Sequence, residues 1–447
     1  WLSVNQGAQW YFSTLSMISS VLFLALFYGL AGALLGYIGR RSGYFLTVLA
    51  FPFVFSGLEW LRSLGVLGFS WNHLCYTQAA FLPVMQMVAF TGPFGLGLWV
   101  YFLNSLIFLT IIEWQTSGKR LLGIFLIVFI FPWIFGLLVL TGADKDFDEN
   151  INNMLTVTVV QPNVDPNEKW DNGLYEANMD SLFALSRREI KAHGSELVVW
   201  PETAVPTYLR INRRNSLYDI NEFTRSYSVA IITGAPDYEL NEEKEYEFYN
   251  SVFFLTPATP RPKSYRKMHL VPFGEYIPLS EHFEDLKKLN LGQGNFIAGK
   301  EISVFKLRRE DHTINITAAV CFESSFSALM RQGVQKGSQI LAVVTNDAWF
   351  GNTSAPYLHA EISRFRAVEN RIPVVRAANT GISMIIDKYG RVLQKSKFNE
   401  VRALTDDVNI AREKTFYTQT GNWIGMLCVV IVFLFVGLTF FRRNNEK

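Results

Sequence analysis

ITAAVCFESSF, residues 316–326, closes an apolar run at Val320 and places a cysteine, Cys321, at its end. A short continuous apolar run of this kind reads as a strand covered on both faces. In α/β sheets, reactive side chains collect just past the carboxyl ends of such strands. Two further chemistry-bearing residues sit in similar settings: Glu202 in LVVWPETAVP (197–206) and Lys267 in YRKMHLVPFGEYIP (265–278).

Working outward, β-rich runs recur at Thr156–Val160, Leu197–Trp200, Ala230–Thr233, Val252–Leu255, Ile340–Thr345, Pro373–Ala377 and Ser383–Ile386. Helix-compatible stretches lie between several of them, at 172–193, 216–228, 323–336 and 356–370, with Asp171 and Asn172 as candidate N-caps for the first. The alternation predicts an α/β domain with helices packed on sheet. Glu202, Cys321 and the pair Asn346–Asp347 each follow a strand, so three strand ends point to one site.

Beyond this region the chain changes character. Residues 11–39, 42–58, 63–112, 121–143 and 415–441 carry no Asp, Glu, Lys or Arg. About 20 apolar residues suffice to cross a bilayer core as a helix. The reading is therefore membrane spans in 1–143, a polar domain over 144–414, and a last span with a short tail in 415–447. Basic residues mark the cytoplasmic ends of spans, and three basic pairs, Arg40–Arg41, Lys119–Arg120 and Arg442–Arg443, flank the apolar stretches. With all three inside, spans fall at about 12–38, 43–61, 93–112, 121–141 and 422–441, and the polar domain faces away from the cytoplasm. The segment 63–92 becomes an interfacial or re-entrant piece. Arg62, near the outer end of a span, is expected to snorkel. Trp1 then lies outside, and a cytoplasmic start requires an odd number of further upstream helices, as for an N-terminally truncated chain. No signal peptide is evident.

A net charge of +2 says little about partners, and no basic tract resembles a nucleic-acid footprint. Three cysteines without paired spacing argue against a disulfide framework or a zinc site; Cys75 and Cys428 read as core.

At the proposed site, a carboxylate can take the thiol proton as sulfur attacks. A lysine can stabilise thiolate and oxyanion alike, and a backbone N–H of Phe322 or Glu323 can add a second donor. That set permits acyl transfer through a thioester. Each group also has a plain alternative: Glu202 as a turn cap, Lys267 as a solvated cation, Cys321 as core.

WPET, RKMHLVPFGEYIP and CFES, in this order, resemble the Glu-Lys-Cys motifs of the carbon–nitrogen hydrolase (nitrilase-like) superfamily, as do TNDAWFGNTSAPYLH (345–359) and RAVENRIPVVRAANTGIS (366–383). With flanking spans, LEWLR (58–62) and GFSWNHLCYTQ (68–78), the chain looks like the apolipoprotein N-acyltransferase family over residues 40–441. The resemblance implies a polytopic α-helical membrane protein carrying an αββα nitrilase-like sandwich. It implies Glu202 as base, Cys321 as nucleophile and Lys267 as oxyanion stabiliser, with Glu275 and Glu323 in support. Trp170, Asn250, Phe322 and Trp349 would contact substrate. Where the family often has tyrosine after the nucleophile, Phe322 lacks the hydroxyl and keeps only an apolar role. The implied partners are a phospholipid acyl donor and a diacylglyceryl-apolipoprotein acceptor, with no nucleic acid, no metal and no cofactor. The implied place is the bacterial inner membrane, with the catalytic domain periplasmic. Gly292, Gly294 and Gly299 mark a flexible segment beside the site.

Two rivals remain in view. A membrane-anchored amidase would use the same three residues and resolve the thioester with water. A transport or scaffolding protein with a catalytically dead domain would usually show paired, Gly/Pro-broken helices and intramembrane charges, and these spans contain almost no charge.

Overall fold

Runs of Val, Ile and Ala bury both faces of a strand, and they form the centre of two sheets. The computed structural model describes residues 10–149, 153–211, 215–278, 296–410 and 413–445; Trp1, Gly292, Gly294 and the side chains of Arg442 and Arg443 lie outside this description. The described residues divide into two compact units, one within 146–414, the other of 17–145 with 415–445.

The first unit holds twelve strands among its described residues: β1 (Met154–Gln161), β2 (Leu197–Val199), β3 (Ala230–Leu240), β4 (Tyr246–Thr256), β5 (Thr259–Arg266), β6 (Val304–Arg308), β7 (Thr313–Val320), β8 (Ile340–Thr345), β9 (Val374–Ala378), β10 (Met384–Ile386), β11 (Val392–Lys395) and β12 (Arg402–Asn409). One sheet runs β12-β1-β2-β3-β4-β5 and the other β11-β10-β9-β8-β7-β6. Each has a parallel centre, β1-β2-β3 in one and β7-β8-β9 in the other. The sheets face each other, β3 against β8 and β4 against β7. Helices Tyr175–His193 and Ser216–Tyr227 cover the first sheet, and Ser327–Gln335 and Ser354–Asn370 the second. The result is the four-layer αββα sandwich.

The sequence reading misses β5, β6, β11 and β12, and these are the four edges. Edge strands alternate polar with apolar residues or carry proline; β6 alternates buried and exposed positions, and β5 reads TPRPKSYR. The N-cap expectation also fails. Leu174 caps the first helix, while Asp171 Oδ1 instead accepts from the Gly173 N–H at 2.8 Å, closing the turn before it.

In the second unit, four helices among the described residues are long and apolar enough to cross a membrane: Met17–Arg62, Val88–Ile112, Gly118–Ala143 and Trp423–Phe440. Helix Trp10–Arg62 has 53 residues, broken at Gly43, whose φ of 79° is open to glycine and strained for other residues. At about 1.5 Å per residue it is about 80 Å long, well over twice the roughly 30 Å of a bilayer core, so the break separates two segments. Small residues let helices approach closely. A Cβ on Gly425 would stand 2.5 Å from Trp60, and one on Gly57 would stand 3.2 Å from Val429. Arg62 does not snorkel. It is buried, at 3% exposure, beside buried Glu59, whose Oε1 accepts from Leu74 N–H and Tyr101 O–H, both at 3.0 Å. The Leu74 bond ties the 63–87 segment back to its helix, and the Tyr101 bond ties in helix Val88–Ile112.

One position links the sheet to the Glu202 turn. A Cβ on Gly234 would lie 2.5 Å from Thr203 N and 2.7 Å from Glu202 Cα. Gly234→Ala is expected to lower stability by about 1–3 kcal/mol through overpacking. Gly173→Ala, whose added carbon meets only Asp171 Oδ1 at 3.4 Å, is the control and leaves the thermal transition in place.

Candidate active site

Trp200 follows β2 and is fixed by its indole N–H, which donates to Ser186 Oγ at 2.9 Å. Its backbone N–H donates to Ile232 O at 2.8 Å, so the chain leaves the sheet at Pro201 with Glu202 aimed between the sheets. Glu202 Oε1 accepts from Asn250 Nδ2 at 2.8 Å, and Oε2 from the Asn346 N–H at 2.9 Å. Asn250 lies on the same sheet, and Asn346 follows β8 on the other. The same Asn250 amide donates to Glu275 Oε1 at 2.9 Å. Glu275 pairs with the Lys267 ammonium at 2.7 and 2.9 Å. Lys267 itself follows β5, its N–H donating to Asn250 O at 2.9 Å.

Cys321 follows β7 and begins the 3-10 turn Cys321–Ser325 with φ of 50°, a left-handed backbone that a non-glycine residue seldom adopts. Glu323 closes this turn from inside. Its Oε1 accepts from Val320 N–H at 2.6 Å, and its Oε2 from Tyr265 O–H at 2.9 Å, Met268 N–H at 3.0 Å and His269 N–H at 3.3 Å. One carboxylate thus binds the cysteine turn to both sides of Lys267. Ser324 Oγ donates to Cys321 O at 2.7 Å.

All five groups are buried: Glu202, Lys267, Glu275, Cys321 and Glu323 are each under a tenth exposed. Burial raises the Glu202 pKa, with Glu275 adding to the rise against Lys267, Asn250 and Lys169. Burial alone would lower Lys267, but Glu275, Glu202 and Cys321 more than reverse it and hold the ammonium charged. Burial and the charge of Glu202 push the Cys321 thiol up, against Lys267. Burial lifts Glu323 to about 7, opposed by Lys267 and by its own donors. The site therefore holds a protonated thiol, a carboxylate more basic than usual and a permanent cation, a set suited to proton transfer during attack rather than a standing thiolate.

Not every residue expected at the site belongs to this cluster. Trp170 stands 58% exposed. Trp349 is half-buried, in the turn Asp347–Phe350. Phe322 is buried, its ring 5.2 Å from Phe326 and 5.8 Å from His269. Two residues that the sequence reading passed over are here. Lys169, buried next to Trp170, donates to Glu202 O at 2.8 Å; its place one residue before a marked tryptophan was the available signal. His359 closes the quoted TNDAWFGNTSAPYLH string and reaches Cys321 O with Nε2 at 3.2 Å. The Cys321 sulfur, an Asp347 oxygen and a His359 nitrogen lie within 4.8 Å of one another. A soft cation could use such donors, but the Arg376 guanidinium, 2.7 Å from Asp347 Oδ2, already balances the carboxylate.

Residues 156–415 match the family model for carbon-nitrogen hydrolase, and residues 1–106 the model for the apolipoprotein N-acyltransferase N-terminal domain. An apolipoprotein N-acyltransferase of Geobacter metallireducens is 34% identical over 441 residues, covering 96% of this chain and 80% of the relative. One of Chlorobaculum tepidum is 31% identical over 416 residues, covering 88% and 77%. One of Brucella melitensis is 30% identical over 440 residues, covering 96% and 80%. The chain belongs to the apolipoprotein N-acyltransferase family. It is an enzyme of that family, built on the carbon–nitrogen hydrolase fold, and with its four long apolar helices a membrane protein.

Glu323→Gln turns a two-sided acceptor into a group with one donating end, leaving at least one buried donor unpaired at about 1–3 kcal/mol. Because the folded pKa of Glu323 is raised to about 7, its share of stability is complete below the unfolded value and is lost as pH rises through about 7. The variant is expected to be less stable, with a shallower decline between about pH 5 and 8, read by thermal unfolding across that range.

Proposed function

We propose that this chain moves an acyl chain from a phospholipid to the α-amino group of the N-terminal S-diacylglyceryl cysteine of an apolipoprotein, through a thioester on Cys321. The observation that carries the reading is the buried cluster in which Glu202, Lys267 and Cys321 meet at strand ends of two sheets. The names of the relatives support the acceptor class, and the apolar helices support a lipid donor.

In the first half, Cys321 Sγ attacks the ester carbonyl while its proton passes to Glu202. Negative charge gathers on the carbonyl oxygen, and the Lys267 ammonium offsets it. Lysophospholipid leaves as its oxygen takes the proton from Glu202. In the second half, the acceptor amine attacks the thioester, gives a proton to Glu202, and the sulfur departs and is reprotonated. The reaction is ping-pong. Glu275 keeps Lys267 charged and in place, while Asn250 holds Glu202 and Glu275 on one amide. Trp170, exposed beside Lys169, and Trp349 are proposed substrate contacts, and Phe322 an apolar one. No cofactor enters these steps. The basic pairs flanking the spans support the bacterial inner membrane, with residues 144–414 on the periplasmic side.

Cys321→Ala is expected to abolish both the acyl-enzyme and transfer, read by intact mass after incubation with phosphatidylethanolamine and by acylation of a diacylglyceryl peptide. Glu202→Gln should slow acyl-enzyme formation about 10²–10⁴-fold, the usual worth of a positioned base. Lys267→Met should lose about 10²–10³-fold, as for an oxyanion donor. Unchanged transfer by either Cys321→Ala or Lys267→Met refutes the scheme. A thioester that forms and is resolved only by water would instead mark an amidase.

A further inference from the structure

His359 lies on helix Ser354–Asn370, fully buried, and touches the cysteine residue without belonging to the three groups assigned above. Its Nε2 is 3.2 Å from Cys321 O and 3.2 Å from Ser324 Oγ. A carbonyl oxygen only accepts, so Nε2 must carry the proton that meets it. On the far side, Nδ1 lies 2.9 Å from Asp347 Oδ1 and 3.1 Å from an Arg376 nitrogen. Asp347 is in turn fixed by Arg376 at 2.7 Å and by Thr345 Oγ1 at 2.9 Å. Arg376 itself is buried in β9 and donates Nε–H to Ile382 O at 3.1 Å. The chain of contacts thus runs from the centre of one sheet to the carbonyl of the cysteine.

That carbonyl belongs to a residue whose φ of 50° persists only where the surroundings impose it. Two side-chain donors, Ser324 and His359, converge on it. A sulfur–imidazole–carboxylate trio within 4.8 Å also invites a second reading, in which His359 takes the thiol proton. Both ring nitrogens, however, are already engaged within the network. Burial and Arg376 hold His359 below the usual imidazole range, with Asp347 opposing, so the ring is a poor proton store beside Glu202.

We propose that His359 is a positioning residue that locks the Cys321 turn through its backbone carbonyl, with Arg376, itself held by Asp347, donating to Nδ1 and orienting the imidazole. The proposal deepens the thioester reading and rests on it for the acylation arm of the test.

The test uses the full chain in vesicles of phosphatidylethanolamine and phosphatidylglycerol, with His359→Phe, His359→Asn and His359→Gln. Two rates are followed: acyl-Cys321 formation by intact mass, and alkylation of Cys321 by iodoacetamide against pH. The charged groups facing the imidazole and the sulfur, namely Asp347, Arg376, Glu202 and Lys267, are unchanged in all variants. Phe, which lacks a donor, and Asn, which is a methylene shorter than Gln, should slow both rates at least tenfold. Their alkylation midpoint should stay within half a pH unit of the parent. Gln, which can present an N–H to the carbonyl, should recover most of the rate. If Phe prevents folding, the Asn–Gln contrast decides. Wild-type rates in Asn or Phe overturn the proposal, and so does Gln as slow as Asn. A midpoint shift of a unit or more would make His359 a base and overturn it too. If the parent takes no acyl chain from lipid, the thioester reading fails, while alkylation alone still decides the role of His359.

Discussion

Everything at this site depends on balancing charges that have been taken out of water. Lys267 is 1% exposed, and an unpaired ammonium so placed would be expelled or neutralised. Glu275 meets it at 2.7 Å, and Asn250 spans from Glu275 to Glu202. Removing one partner of a buried pair is far worse than never having had it. The same low dielectric that makes the pairing obligatory also strengthens the field of the Lys267 ammonium on whatever lies beside it.

The second requirement is backbone shape. A left-handed residue that is not glycine costs on the order of 1–3 kcal/mol, and Cys321 adopts it at the end of β7. Glu323 receives four donors inside the turn, and the Cys321 carbonyl receives two outside it. Bonds of this number outweigh the strain and present sulfur away from the strand. Glycine would adopt the turn freely but would bring no thiol.

How much of this is legible in sequence follows from where each residue's partner lies. The central strands announce themselves because burial on two faces demands continuous apolar residues, as in ILAVVT at 340–345. The four edges do not, since RALTDDVN of β12 must leave one side to solvent. Glu202, Lys267 and Cys321 stand out because each ends a strand-like run. Lys169 and His359 do not, because a lysine near a loop tryptophan and a histidine in a helix carry no periodic signal. Each instead meets a carbonyl supplied by another element. Arg62 shows the same limit in the membrane unit, where a residue read as reaching for the interface is instead buried next to Glu59.

Glu202 and Glu323 reach across the sandwich in opposite directions. Glu202 leaves the β1-β2-β3 side to accept from Asn346, and Glu323 leaves the β7-β8-β9 side to accept from Tyr265, Met268 and His269. They act as crossed clasps, so neither sheet can slide past the other without releasing both. Stability and the shape of the pocket therefore draw on the same few bonds, and sequence drift toward a looser pocket also loosens the halves of the domain from each other.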